Sequence, residues 1–328
     1  MSAQLPREAA PSPANLPNLV IAGVTKAGTT SLFRYLAQHP EIYPSDVKEL
    51  RYFQPLRYGG ELEPLSQYEA HFAGRTGERY AMESTPGYFY GGRALAKGLS
   101  ETLPDVRVVV SLRDPVERCW SWYNFMRSRA RVDKRLGFAQ YVEGCLALRA
   151  SGADGTVENQ AYWGIGGGCY DEWLDSWYDI LGDHFTVIFF EELAREPQHT
   201  TAKLCRWLGI DPDVTAEFRY DVENKTEQYR SKSLQRAALR VNRGAERFFG
   251  EHLAVKRRLR RLYYSVNREQ SEQSRDENVL SRLRDFYVPH NERLADHLTA
   301  RQANVTLPPW LSGAPGAAAP APAPSSAD

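Results

Sequence analysis

Leu19-Val20-Ile21-Ala22-Gly23-Val24-Thr25-Lys26-Ala27-Gly28-Thr29-Thr30-Ser31-Leu32 is the stretch on which the fold turns. An apolar run from Asn18 to Ala22 stops at Gly23, and a turn bounded by Gly23 and Gly28 leads into a helical pattern from Thr29 to Gln38. A strand, a glycine-bounded turn and hydroxyl residues opening a helix form a cradle for an anion. Backbone N–H groups of the turn and the positive end of the helix both face the ligand. Glycine lets the backbone approach it closely.

The spacing differs from the loop of nucleotide triphosphatases, G-x-x-x-x-G-K-[ST]. Gly23 and Gly28 have the same gap, but Thr29 stands where that loop has lysine, and Lys26 lies inside the turn. No apolar run ends in a clean magnesium-binding aspartate, because Asp114 sits between Arg113 and Pro115. A nucleotide with a 5′-phosphate, without a triphosphate or an obligatory metal ion, fits this better. An ordinary strand–turn–helix with an incidental lysine is the plain alternative.

Further strands are predicted at Arg79–Glu83, Val106–Leu112 and Phe185–Phe190, with helices over Glu117–Arg129 and Tyr170–Leu181. The run VRVVVSL is of the kind buried on both faces of a parallel sheet. Strand and helix alternating at this spacing predict an α/β fold: three layers, P-loop-like, with a central, mainly parallel sheet flanked by helices. Ligands of such sheets bind at the strands' carboxyl ends. Arg113 falls at such an end, with Pro115 suited to the first turn of the next helix and Ser121 about two turns on. Arginine and serine converging there suit a second phosphate; pairing of Arg113 with Asp114 or Glu117 is the alternative.

Length and composition bound the rest. The chain has 328 residues, 41 Lys+Arg against 41 Asp+Glu, 42% hydrophobic and 25% charged residues. Zero net charge argues against a general nucleic-acid surface, so any polyanion site is local. Cys119, Cys145, Cys169 and Cys205 form no C-x-x-C, which argues against a zinc site or disulfide framework and for a reducing compartment. No apolar run reaches the ~18 residues of a membrane span, and the first 18 residues lack the apolar core of a signal peptide. A cytoplasmic location, with peripheral membrane contact as a variant, is expected. Residues 1–16 and the Pro/Ala-rich 313–328 read as disordered ends of one domain over 17–312.

The two motifs together, G-x-x-K-x-G-T-T-x-L and R-D-P-x-x-R-x-x-S-x-Y, resemble those of the sulfotransferases that use 3′-phosphoadenosine 5′-phosphosulfate (PAPS). The similarity runs from about Leu19 to Leu311 and points to the carbohydrate branch, the heparan sulfate enzymes among them. It implies transfer of a sulfuryl group to a hydroxyl, or second an amine, of a carbohydrate or a glycosylated or lipid-linked acceptor. The bisphosphate 3′,5′-ADP would be released and no metal required. By resemblance Lys26 contacts the transferred group, Ala27, Gly28, Thr29 and Thr30 wrap the 5′-phosphate, and Arg113 and Ser121 hold the 3′-phosphate. Lys225, with Tyr229 and Arg230 nearby, matches a late loop over the 3′-phosphate and adenine. No cysteine follows Cys205, so the disulfide-bonded finger of the heparan sulfate enzymes is not expected.

The same branch takes the acceptor's proton with a glutamate in an E-x-x-F-F segment. Lys48-Glu49-Leu50-Arg51-Tyr52-Phe53 matches it with Tyr52 for the first Phe, making Glu49 the general base and Lys48 and Arg51 acceptor contacts. A surface carboxylate paired with a neighbouring cation is the plainer reading of Glu49. Glu83-Ser84-Thr85-Pro86-Gly87-Tyr88-Phe89 matches E-K-T-P-x-Y-F, but Ser84 replaces a lysine, which puts a heparin-like acceptor in doubt. Glu83 is a second acid/base or acceptor contact, or else a buried structural carboxylate.

Residues 230–268 are strongly basic. Arg236, Arg240, Arg243 and Arg247 run beside an apolar stripe of Leu234, Ala238, Val241, Ala245 and Phe248, an amphipathic helix. Docking on the domain, an acidic acceptor or an anionic membrane are its readings, with nucleic acid disfavoured. A P-loop kinase or NTPase, and a nucleotide-binding module without chemistry, remain alternative functions. The oligomeric state is not legible.

Overall fold

The computed structural model describes residues 15–221, 275–302 and 305–312. These fall into two compact units. The first holds residues up to Arg113, Tyr170 to Asp221, and Pro289 onward; the second holds Asp114–Cys169 and 275–288.

The first unit is built on strands β1 (Leu19–Gly23), β2 (Ile42–Pro44), β3 (Tyr80–Ser84), β4 (Arg107–Leu112) and β5 (Phe185–Phe189). They form one sheet in the order β2-β3-β1-β4-β5, and every pairing is parallel. The burial of all five residues of β1 and of β3 is what a sheet covered on both faces requires. Residues two apart share a face. Leu19, Ile21, Met82, Val109 and Ile188 therefore join Leu32 and Leu36 of α1 (Thr29–Leu36) and Leu204 and Leu208 of a later helix, Pro197–Leu208, in one buried cluster.

The opposite layer is aromatic. Helix Gly92–Thr102 packs on helix Asp171–Leu181, whose Trp177 stacks on Phe89 and Phe185 and donates its indole N–H to Phe89 O at 3.0 Å. The latter helix is also tied to the carboxyl half of a long helix, Glu277–Arg301. Asp171 meets His290 and Arg293 at 2.8 Å each, Asp175 meets His297 at 2.9 Å and Asp179 meets Arg301 at 3.0 Å. The carboxylates are four residues apart, so they line one face.

The three-layer parallel architecture is the one predicted. The edge strand β2 was not anticipated: it is three residues long and ends in Pro44, a residue an edge tolerates because its missing N–H is not needed there. Leu16 lies within the expected disordered N-terminal stretch, yet it is buried.

In the second unit, helix Pro115–Ser128 begins with Asp114 accepting from the N–H groups of Val116 and Glu117 at 2.8 and 3.2 Å. Arg118 is fully buried and donates to Trp163 O at 3.1 Å and to Gly164 O. Tyr287 donates to Ile165 O at 2.8 Å. Glu117 is paired with Arg275 and Glu143 with Arg282. Among the described residues no helix is long and apolar enough to cross a membrane.

Candidate active site

The anion cradle forms where β1 ends. Gly28, in the left-handed region at φ 76°, precedes α1, which has no side-chain cap and no acidic residue in its first turn. The first N–H groups of a helix have no partner within it, and here no carboxylate offsets the helix's positive end. Lys26 also has positive φ, 73°, a conformation that costs a non-glycine residue about 1 kcal/mol or more and persists where the surroundings enforce it.

Strand β4 supplies that enforcement. Val24 N–H donates to Ser111 O at 2.9 Å, Ser111 Oγ donates to Ala27 O at 2.7 Å, and Arg113 Nη1 donates to Lys26 O at 3.0 Å. The Arg113 guanidinium lies 4.5 Å from the centre of the Phe190 ring. A Cβ on Gly28 would come within 2.9 Å of the same ring. Phe190 thus lies against both the loop at Gly28 and the Arg113 guanidinium. Sequence reading missed Ser111 and Phe190; the signal for Ser111 was its place two residues before Arg113, on the same strand face.

Glu49 stands at the end of the adjoining strand. β3 pairs directly with β1, Ser84 opposite Ile21. Glu49 N–H donates to Ser84 O at 3.0 Å, Arg51 N–H to Thr85 Oγ1 at 3.2 Å and Phe53 N–H to Tyr88 Oη at 3.1 Å. The carboxylate of Glu49 is 41% exposed and bound by Lys48 Nζ at 3.3 Å and Arg51 Nη2 at 3.1 Å. Partial burial raises its pKa, but Lys48 and Arg51 together outweigh that and hold it below the ordinary glutamate value. It is ionised at neutral pH and paired with two cations, as the plainer reading of this residue expects. Burial, as the largest effect, draws the Lys48 ammonium below its usual range.

Glu83 is different. Its side chain is fully buried, and it accepts from Tyr68 Oη at 2.7 Å and Thr85 Oγ1 at 3.2 Å. Burial pushes its pKa up to about 7, against the lowering effect of the hydroxyls of Tyr68, Tyr88 and Thr85. Ser84 is also fully buried. Both side chains are enclosed by protein atoms, as the alternative reading of Glu83, a buried structural carboxylate, expects. Of the expected cofactor contacts, Lys26 through Thr30 and Arg113 lie at the carboxyl ends of β1 and β4, while Ser121 lies on the helix Pro115–Ser128 of the second unit. Lys225, Tyr229, Arg230 and the basic stretch 230–268 lie outside the described residues.

The cradle can be tested for fit to a phosphorylated ligand. Thr25 Oγ1 and Ser84 Oγ are buried without a hydrogen-bond partner, one in the loop and one at the end of the neighbouring strand. Buried polar atoms are usually paired, so two orphaned hydroxyls beside an uncapped helix start suit a ligand with acceptor oxygens.

Residues 64–215 match the profile of the Sulfotransferase family. The match covers a little under half of the chain. The matched residues include Glu83, Arg113 and Ser121, and start beyond the cradle and Glu49. The chain is 24% identical over 218 residues to the "Bifunctional heparan sulfate N-deacetylase/N-sulfotransferase 1" of Caenorhabditis briggsae, covering 63% of this chain and 24% of that one. It is 26% identical over 217 residues to the "Heparan sulfate glucosamine 3-O-sulfotransferase 6" of Homo sapiens, covering 66% of this chain and 59% of that one. The chain thus spans about a quarter of the first relative and about three-fifths of the second. In fold it resembles a crystal structure of a sulfotransferase from Alicyclobacillus acidocaldarius, with a TM-score of 0.60 and 21% identity over 90% of this chain and 98% of that one.

Proposed function

We propose that this chain is a sulfotransferase, transferring the sulfuryl group of PAPS to a hydroxyl of a carbohydrate or a glycosylated or lipid-linked acceptor, with Glu49 as general base. The observation that carries this reading is the adjacency of two strand ends. An uncapped, lysine-bearing anion cradle follows β1, and an ionised carboxylate is pinned to the end of the hydrogen-bonded neighbour β3.

PAPS supplies the sulfuryl group, whose bond to the phosphate oxygen breaks as the acceptor oxygen bonds to sulfur. Lys26 and the first N–H groups of α1 stabilise the charge gathering on the departing phosphate, without reorganising as it grows. Glu49 accepts the acceptor's proton at a carboxylate oxygen. Its pKa favours availability over strength, so positioning must supply much of the effect. Arg113, with Ser121, Lys225, Tyr229 and Arg230, would hold the 3′-phosphate side of the nucleotide; Lys48 and Arg51 would face the acceptor. No residue of this set calls for a metal ion. The buried serine at position 84, in place of a cation, supports a less anionic acceptor than heparin.

The test is incubation with sulfur-35-labelled PAPS and a panel of heparosan, chondroitin, octyl glucoside and a glycosylated lipid, beside calorimetry with 3′,5′-ADP and 5′-ADP. Labelled product with one acceptor, abolished by Lys26→Ala, is expected, together with at least ~10-fold tighter binding of the bisphosphate. Equal affinity for the two nucleotides and no transfer would refute the reading.

A further inference from the structure

Three backbone N–H groups moor the segment that carries Glu49, at alternate residues 49, 51 and 53, and two of their three acceptors are side-chain hydroxyls. Glu49 and Arg51 both have positive φ, 68° and 60°. Each such residue costs of order 1 kcal/mol and needs the surroundings to hold it. With two of these residues bracketing Leu50, the segment has a strong local reason to relax elsewhere if its moorings fail.

The hydroxyl moorings depend on Glu83. A hydroxyl has one proton to donate. The Thr85 hydroxyl gives its proton to Glu83 Oε2 at 3.2 Å, which turns its lone pairs toward Arg51 N–H at 3.2 Å. The Tyr88 hydroxyl is likewise hydrogen-bonded to Glu83 and accepts from Phe53 N–H at 3.1 Å. Tyr68 supplies a third hydroxyl to the same carboxylate at 2.7 Å. Among the described residues the ion pairs include none to Glu83, so three hydroxyls, and not a cation, satisfy it. A buried carboxylate without a cation is costly. Here it fixes the rotation of two hydroxyls so that both accept from one loop.

We propose that Thr85 and Tyr88, oriented by the buried carboxylate of Glu83, are positioning residues that hold Glu49 in its strained loop. They act through Glu49 and touch neither nucleotide nor acceptor. The catalytic part of this inference rests on Glu49 being the base; the mooring itself does not.

Two measurements separate those parts. The first is hydrogen exchange of the whole protein, read on a peptide spanning residues 46–56. Thr85→Val and Tyr88→Phe should each speed exchange there by about 10-fold or more and leave residues 80–84 of β3 unchanged. Thr85→Ser, which keeps the hydroxyl, should restore slow exchange; if Val is not accommodated, Thr85→Ala makes the same cut. Wild-type exchange in the loop of the folded Val or Ala variant and of Tyr88→Phe would overturn the mooring.

The second measurement is turnover with labelled PAPS and the acceptor that the panel identifies. Thr85→Val should lower kcat about 10-fold with the Kd for 3′,5′-ADP unchanged, and Thr85→Ser should recover most of it. Placed on Glu49→Gln, Thr85→Val should cost less than about 2-fold more, because residues that act through one another are not additive. A full further 10-fold loss in that background would show that Thr85 does not work through Glu49. If Glu49→Gln itself keeps full turnover, the proposed base fails while the exchange result still judges the mooring.

Discussion

Glu49 and Glu83 are two carboxylates held on neighbouring segments, and their surroundings push them in opposite directions. Glu49 is 41% exposed, sits between two cations and is held below the ordinary glutamate pKa. Glu83 is fully buried among hydroxyls and is raised to about 7. Pairs of titratable groups separated in this way mark a division of labour. On the proposed function, the exposed, charge-paired carboxylate meets the substrate and the buried one holds structure. Motif matching alone ranks them by pattern; only burial and partners tell the roles apart.

Stability should expose the difference most strongly. Glu83→Ala strands three hydroxyls and opens a cavity, so urea unfolding should show a loss of about 3–5 kcal/mol. Glu49→Ala should stay within about 0.5 kcal/mol, since its side chain faces solvent. Similar losses at both sites would erase the contrast.

A smaller effect has the opposite sign. Glu83 has its folded pKa raised from 4.5 to about 7, so the folded protein holds its proton longer than the unfolded chain. Wild-type stability should therefore fall as pH rises from about 4.5 to about 7, by about 3 kcal/mol from this group. Glu83→Gln, neutral throughout, should be the more stable protein at pH 8, with the gain vanishing toward pH 4.5. Denaturation midpoints at the two pH values check this; a variant less stable than wild type at pH 8 would mean that the ionised form is better solvated than its burial indicates.

The smallest expected effect concerns the cations. Lys48→Met removes a charge 3.3 Å from Glu49, so the Glu49 pKa should rise toward its ordinary value. The acid limb of the pH–rate profile should move to higher pH. An unchanged limb would assign it to another group.

Much of this was legible in the sequence because the physics is local. The run Leu19–Ala22, the glycines at 23 and 28 and the VRVVVSL strand each announce themselves by composition and periodicity, and all sit where they were expected. Edge strand β2 carries too few residues to show a period. The roles of Ser111, Phe190 and Tyr68 arise from contacts between residues 15 to 162 positions apart in sequence, which no local pattern records. Glu83 was visible as a motif residue, but its enclosure was not. A carboxylate in the run Tyr80–Ser84 reads equally well as a site residue or a structural one, and only the structure shows β3 buried along its whole length.

The measurement that bears most directly on the account is the turnover of Glu49→Gln with labelled PAPS, taken together with its affinity for 3′,5′-ADP. A loss of at least ~10²-fold in kcat with the nucleotide affinity within about twofold of wild type is predicted, because the amide keeps the shape and removes the base. Turnover above about a third of wild type would contradict it and leave the ionised carboxylate as a surface ion pair.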